Sequence, residues 1–144
     1  GIAMVEFVIA APVVLFIGLA VAEMGYAIMQ YNTLTQALRN GARHLSSTAV
    51  PNNSGVIDIS EEVKLQAANL VAYGSLTAGT PLIQGLTPGA VSIADDGDRT
   101  VTIDVSFAYQ PLLIGGIPEV YSRNGGTIST ALTMNAGMVA RAHR

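Results

Sequence analysis

The first 22 residues constrain this chain more than all the others. Between Gly1 and Ala22 the only ionisable side chain is Glu6, and every residue from Phe7 to Ala22 is uncharged, most of them aliphatic or small. Such a run approaches the ~20 residues an α-helix needs to cross a hydrocarbon core. A cleaved secretory leader would carry basic residues ahead of a shorter apolar core. Here the first basic residue is Arg39. The segment reads as a hydrophobic helix that is kept.

The helical pattern continues well past Glu23. Ala27, Tyr31, Leu34, Leu38, Gly41 and Leu45 recur at alternating spacings of four and three, the seam of a helix packed along a neighbour. Arg39, Arg43 and His44 place positive charge towards the carboxyl end, where the helix dipole favours it. Ser46, Ser47 and the stretch Pro51-Asn52-Asn53-Ser54-Gly55 then stop the helix. A rod of about 46 residues is roughly 69 Å long at ~1.5 Å per residue. The sequence therefore predicts a long helix over 1–48 and a small domain over 49–144. A domain of that size cannot cover the whole rod, so the first half must be buried in lipid or in other subunits.

Three residues inside the apolar run stand out. Pro12 has no N–H to give the carbonyl of Val8, which predicts a kink or local melting, and Gly18 adds backbone freedom nearby. Membrane helices tolerate both residues; the functional alternative is a segment able to stretch when its surroundings change. Glu6 is costly in hydrocarbon unless it is protonated, paired or close to the interface. No Lys or Arg precedes position 39, so the cation open to it is an N-terminal amine, and its own lies several residues away along a stiff helix. The amine of a neighbouring chain fits better and implies assembly.

The second half predicts a small α+β domain. Asp58-Ile59-Ser60-Glu61-Glu62 has the cap and first-turn acids of a helix start, Ile59, Val63, Ala67, Leu70 and Val71 share one face, and Gly74 ends the element. A loop over Ser75–Gly89 leads to strands. Val91 and Ile93 alternate with polar or small residues, and Val101, Ile103, Val105, Phe107 and Tyr109 do so without a break. Asp95-Asp96-Gly97-Asp98 reads as the turn between them. Gln110–Gly126 reads as a surface excursion, and Ile128, Leu132, Met134, Ala136 and Met138 as one side of a third antiparallel strand ending near Ala140. The expected fold is thus a long apolar helix followed by a short helix and an antiparallel sheet of about three strands.

Composition narrows the function. Seven Lys+Arg against ten Asp+Glu leave a net charge of −3, which is no footprint for nucleic acid. Half the residues are hydrophobic and 12% are charged, against roughly 25% in an ordinary domain, which excludes a disordered chain. Without cysteine there is no disulfide, thiolate metal site or Cys nucleophile. The acids at 95–98 lack the spacing and distal Glu of a calcium loop. His44 and His143 have no companion at ligand spacing, and Gly115-Gly116 and Gly125-Gly126 lack the Lys of a phosphate loop. No Ser pairs with a His and a carboxylate in a recognisable order. No catalytic residue, metal site or cofactor is expected.

Several segments together resemble a known family. Gly1-Ile2-Ala3-Met4-Val5-Glu6-Phe7, the apolar run with Pro12, Glu23-Met24-Gly25 and Gln36-Ala37-Leu38-Arg39-Asn40-Gly41-Ala42-Arg43 look like the TadE-like pilins and pseudopilins, relatives of type IV pilins. Ala131-Leu132-Thr133-Met134 resembles the strand that closes such domains. The specific part of the resemblance is the first ~43 residues. The resemblance implies a precursor held in the inner membrane by its first helix, a prepilin peptidase that trims a leader, and an assembly machine that draws subunits into an extracellular helical filament. It also implies that Glu6, with Gly1, Ile2 and Phe7 around it, pairs with the amine of an adjacent subunit. Pilin-type cleavage leaves that Glu at the fifth mature position behind a Gly, so here Glu6 is fifth when Ile2 is first; a retained Gly1 would alter the amine's reach.

The leading expectation is a pilus filament subunit serving adhesion or surface attachment. Its helices would pack through Ala22, Gly25, Tyr31, Leu34, Leu38 and Leu45, with Pro12 and Gly18 as points of kinking or melting. The alternative is a minor pilin or membrane-held assembly factor that starts or caps a filament. A third reading is a single-pass anchored periplasmic binding domain, and the last an enzyme.

Overall fold

The computed structural model describes residues 1–48, 59–95, 100–111, 120–121, 127–128 and 133–141. The turn at 96–98, the helix-stop stretch at 51–55, Asp58, Leu132, His143 and most of the predicted excursion lie outside the described residues.

Helix α1 runs from Ile2 to Thr48, 47 residues without a break. It passes through Pro12 and Gly18, the predicted points of kinking or melting, in helical conformation. One missing backbone donor removes one bond from a ladder that is otherwise continuous on both sides. Thr33 and Thr35 fold their hydroxyls onto the carbonyls of Met29 and Tyr31 one turn earlier, at 3.0 and 2.9 Å, which lets polar side chains sit in the rod without breaking it.

Helix α2 spans Glu61–Tyr73 and is fixed at both ends by short-range chemistry. The Ser60 hydroxyl accepts from the Val63 N–H at 3.4 Å, and Glu61 and Glu62 occupy the first turn. Gly74 adopts φ 71° and donates its N–H to Leu70 O at 3.0 Å, a left-handed cap that suits glycine. Of the predicted α2 face, Ile59, Ala67 and Val71 are buried, with Val63 packed at their edge.

A 3-10 turn over Pro88–Ala90 feeds strand β1 (Val91–Asp95), which pairs antiparallel with β2 (Thr100–Ala108). Strand β2 pairs antiparallel with β5 (Thr133–Arg141), giving the order β1-β2-β5. The registers set Val101, Ile103, Val105 and Phe107 opposite Ala140, Met138, Ala136 and Met134, so one face collects the apolar positions of both strands. Ile128 does not join this sheet. It lies in β4 (Thr127–Ile128), which pairs with β3 (Val120–Tyr121) as a separate ribbon, so the predicted third strand begins at Thr133 and the predicted excursion holds a paired strand.

The core forms where the two helices cover the sheet. Leu34, Leu38 and Leu45 of α1, Ala67 and Val71 of α2, and Ile103 and Val105 of β2 are all fully or nearly fully buried. Ile83 and Leu86, in the predicted loop, are buried as well, tied in by the Leu82 N–H donating to Ala72 O at 2.8 Å. Helices α1 and α2 approach closely at Gly41, where an added Cβ would lie 2.7 Å from Val71 Cγ2 and 3.5 Å from Ala67 O.

Candidate functional site

The fold divides α1 into a covered half and a bare half. From Ile2 to Ala22 no residue is buried, and Ile2, Phe7, Ile9 and Phe16 are 88%, 71%, 69% and 69% exposed. This stretch is long and apolar enough to cross a membrane. Leaving so much apolar surface in water would be unfavourable by about 25 cal/mol per Å². A folded monomer in water rarely carries a patch of this kind; such patches mark membrane or protein contact.

Coverage starts at Glu23. The hydroxyl of Tyr109, the residue just after β2, donates to Glu23 Oε1 at 2.5 Å, and the Tyr109 ring lies 6.5 Å from that of Tyr26 at 56°. Burial, with the Glu23 carboxylate beside it, pushes the Tyr109 hydroxyl well above the ordinary phenol range. Nothing in the sequence pairs these residues. They are 86 positions apart, and only the packing of β2 against α1 brings them together.

Beyond Glu23 the domain covers one side of α1 only. Its inward side is Ala27, Gln30, Leu34, Ala37, Leu38, Gly41 and Leu45. Tyr31, predicted on this seam, is 49% exposed, and Gln30 takes the inward place. The reason is angular: adjacent residues differ by about 100° around the helix, and the domain sits towards Gln30. Leu34, Leu38 and Leu45, predicted to pack along a neighbour, pack against the chain's own α2 and sheet.

A second apolar stripe is left bare. Val14, Ile17, Val21, Met24, Ile28 and Tyr31 alternate in spacings of three and four, and each is about half exposed or more. Gly18, Ala22 and Gly25 lie on an adjoining exposed strip, and an added Cβ at Gly18 or Gly25 would meet nothing within 4 Å. The predicted packing positions Ala22 and Gly25 are thus exposed, and Tyr31 lies half exposed at the flank of the covered side. Glu6 is exposed near the start of the rod with Gly1, Ile2 and Phe7, and among the described residues no cation pairs with it.

Two polar groups on α1 are enclosed without partners. Both amide atoms of Gln30, which is 5% exposed, and Nε2 of His44 find no hydrogen bond among the described residues. An unsatisfied buried amide costs about 1–3 kcal/mol. Gln30→Met keeps the length and removes the polar atoms, so it is expected to raise the melting temperature of the detergent-solubilised chain by a few degrees, about 1 kcal/mol. An unchanged or lower melting temperature would show that the amide is satisfied.

No group of His, Asp or Glu gathers at metal-ligand geometry among the described residues. The surface that stands out chemically is the bare side of α1, which is suited to lipid or to other helices. Comparison with curated proteins and with solved structures returns no match. The recognisable part of the chain is the rod itself: over residues 1–43 it matches the family described as TadE-like protein.

Proposed function

We propose that the chain is a structural subunit of a Tad-type pilus, held in the inner membrane by α1 and then polymerised through it into a surface filament. The family match points to a Tad pilus-associated protein, and the apolar rod fits membrane anchoring. The observation that carries the finer reading is the length of the bare apolar surface. From Ile2 to Tyr31 the rod rises about 45 Å. A bilayer's hydrocarbon core covers about 30 Å of it. Met24, Ile28 and Tyr31 lie beyond that depth and outside the domain's cover, 68%, 56% and 49% exposed. A membrane anchor alone has no use for this extension; a bundle of parallel copies covers all of it.

In the bundle, lipid contacts give way to helix contacts of similar apolarity, so close packing and pairing decide the register. Gly18, Ala22 and Gly25 let neighbouring backbones approach, while the stripe from Val14 to Tyr31 supplies side chains for a 3-4 spaced seam. Glu6 pairs with the N-terminal amine of the adjacent copy. Pro12 and Gly18 mark where the rod adapts on leaving the bilayer. The sheet domain faces outward and offers its loops for attachment.

Shearing cells that produce the chain tests this reading. Electron micrographs of the released material should show thin filaments, and sequencing the amino terminus of their main component should give this chain. Finding it as a trace component of filaments built from another subunit would favour the minor-pilin reading. Finding it only in the membrane would overturn the filament role.

A further inference from the structure

One end of the domain is built without charge. From Leu65 to Ala94 the sequence has no Asp, Glu, Lys, Arg or His, although 12% of the chain is charged. Much of that stretch is α2 and β1, whose inward faces need no charge. The loop between them does not share that reason: over residues 75–87 only Ile83 and Leu86 are buried, and most of the others are exposed. A surface that faces water is commonly about a quarter or more Lys, Arg, Glu and Asp.

Contacts on either side of this loop fix which end it occupies. Strand β2 descends α1: Ile103 Cδ1 lies 3.9 Å from the Cβ that Gly41 lacks, and Tyr109, just after the strand, bonds Glu23. Val91 pairs with Val105, so the chain ahead of β1 extends towards the Tyr109 end. Gly85, at φ 85°, meets Gln110 there; an added Cβ would lie 3.3 Å from Gln110 Cγ. The Leu82 N–H, donating to Ala72 O, ties the loop to the end of α2, and Leu82 keeps 45% of its surface exposed. The loop therefore lies at the end of the domain from which the bare half of α1 emerges.

We infer that in the anchored chain this loop rests in the headgroup layer of the membrane that α1 crosses. The inference rests on the anchoring part of the function proposed above, and not on the filament. With Ile2–Ala22 in the hydrocarbon core, a headgroup layer of ~5–7 Å reaches about four residues further along α1, to Tyr26. Tyr26 and its ring partner Tyr109 then stand at the depth where aromatic residues collect, with Gln110 and Gly85 beside them. The absence of charge suits that layer, since an acidic loop would be repelled by anionic lipid and a basic one held to it. Ser, Thr, Gln and backbone groups exchange water for headgroup hydrogen bonds, and Leu82 offers apolar surface. Held at the rod and at the loop, the domain keeps one tilt above the bilayer.

The chain has no cysteine, so a single thiol places a probe cleanly. Gln84→Cys and Glu62→Cys both change exposed positions, the first in the loop and the second at the far end of α2. Each full-length variant, carrying an environment-sensitive fluorophore, is reconstituted into phosphatidylcholine vesicles that hold a headgroup spin label. The probe at position 84 should lose most of its emission and the probe at position 62 little. High salt or added phosphatidylglycerol should change neither value, because no charge takes part. Equal quenching at the two positions, in chain that floats with the vesicles, overturns the loop contact and leaves the anchoring standing; quenching at 84 that high salt abolishes also overturns it. No quenching at 84, together with slow thiol labelling of Gln84→Cys in sheared filaments, overturns it in favour of a neighbouring copy as the loop's partner. A chain that does not float with the vesicles overturns the anchoring itself.

Discussion

Replacing Glu6 by Ala is expected to remove surface filaments while leaving the chain in the membrane at its normal level. The carboxylate is exposed on the bare rod, no described cation answers it, and the first basic side chain is at position 39. In lipid near the interface the substitution removes a group that is costly to bury, so anchoring does not suffer. In the bundle it leaves the amine of the adjacent copy enclosed without a counter-charge. Removing one partner of a buried pair costs about 3–5 kcal/mol, a factor of 100 or more in each assembly step. Glu6→Gln keeps the shape and should fail almost as completely. Counting filaments in sheared fractions while immunoblotting membranes reads both halves of the expectation, and normal filaments from Glu6→Ala would remove the pairing from the account.

The second large effect is on the fold itself. Gly41→Leu is expected to lower the melting temperature of the detergent-solubilised chain by on the order of 10 °C, about 3 kcal/mol. Val71 Cγ2 would lie 2.7 Å from the new Cβ and the Ala67 carbonyl 3.5 Å away, so α1 and α2 must separate to admit it. Val71 is β-branched and fully buried, which leaves it little room to turn aside. Gly41→Ala should cost less, because its clash is offset by up to ~1 kcal/mol of helix preference. Gly25→Leu makes the contrast: nothing lies within 4 Å of its Cβ, so the isolated chain should keep its stability while filament packing is lost. Equal melting temperatures for Gly41→Leu and Gly25→Leu would contradict the helix contact described for α1 and α2.

Features written in short-range chemistry were legible in the sequence. The apolar run before Glu23 and the 3-4 spacing after it gave the rod, the Ser60 cap and Gly74 gave the ends of α2, and the alternation from Val101 to Phe107 gave the central strand and its buried face. What stayed hidden depends on which element lies over which. Gln30 and Tyr31 are about 100° apart on one helix, and a periodic pattern tolerates either as the inward residue; the position of the sheet chose Gln30. Ile83 and Leu86 sit in a stretch punctuated by Pro and Gly that reads as loop, yet they close the floor of the core. Ile128 continues the alternation of the last strand in sequence but pairs with Val120 elsewhere. The Glu23–Tyr109 hydrogen bond requires the folded domain, since no local pattern links residues so far apart.

In the proposed filament, copies of this chain cover the apolar side of α1 above the membrane. Ile28 lies on that side, 56% exposed, a full turn past the first contact with the domain. Ile28→Cys in this cysteine-free background offers a single thiol there. Polar maleimide labelling should be fast for the detergent-solubilised monomer and slowed about a hundredfold in sheared filaments, where a neighbouring helix lies over the position. Equal labelling rates in the two states would show the face still open to water and would contradict the account.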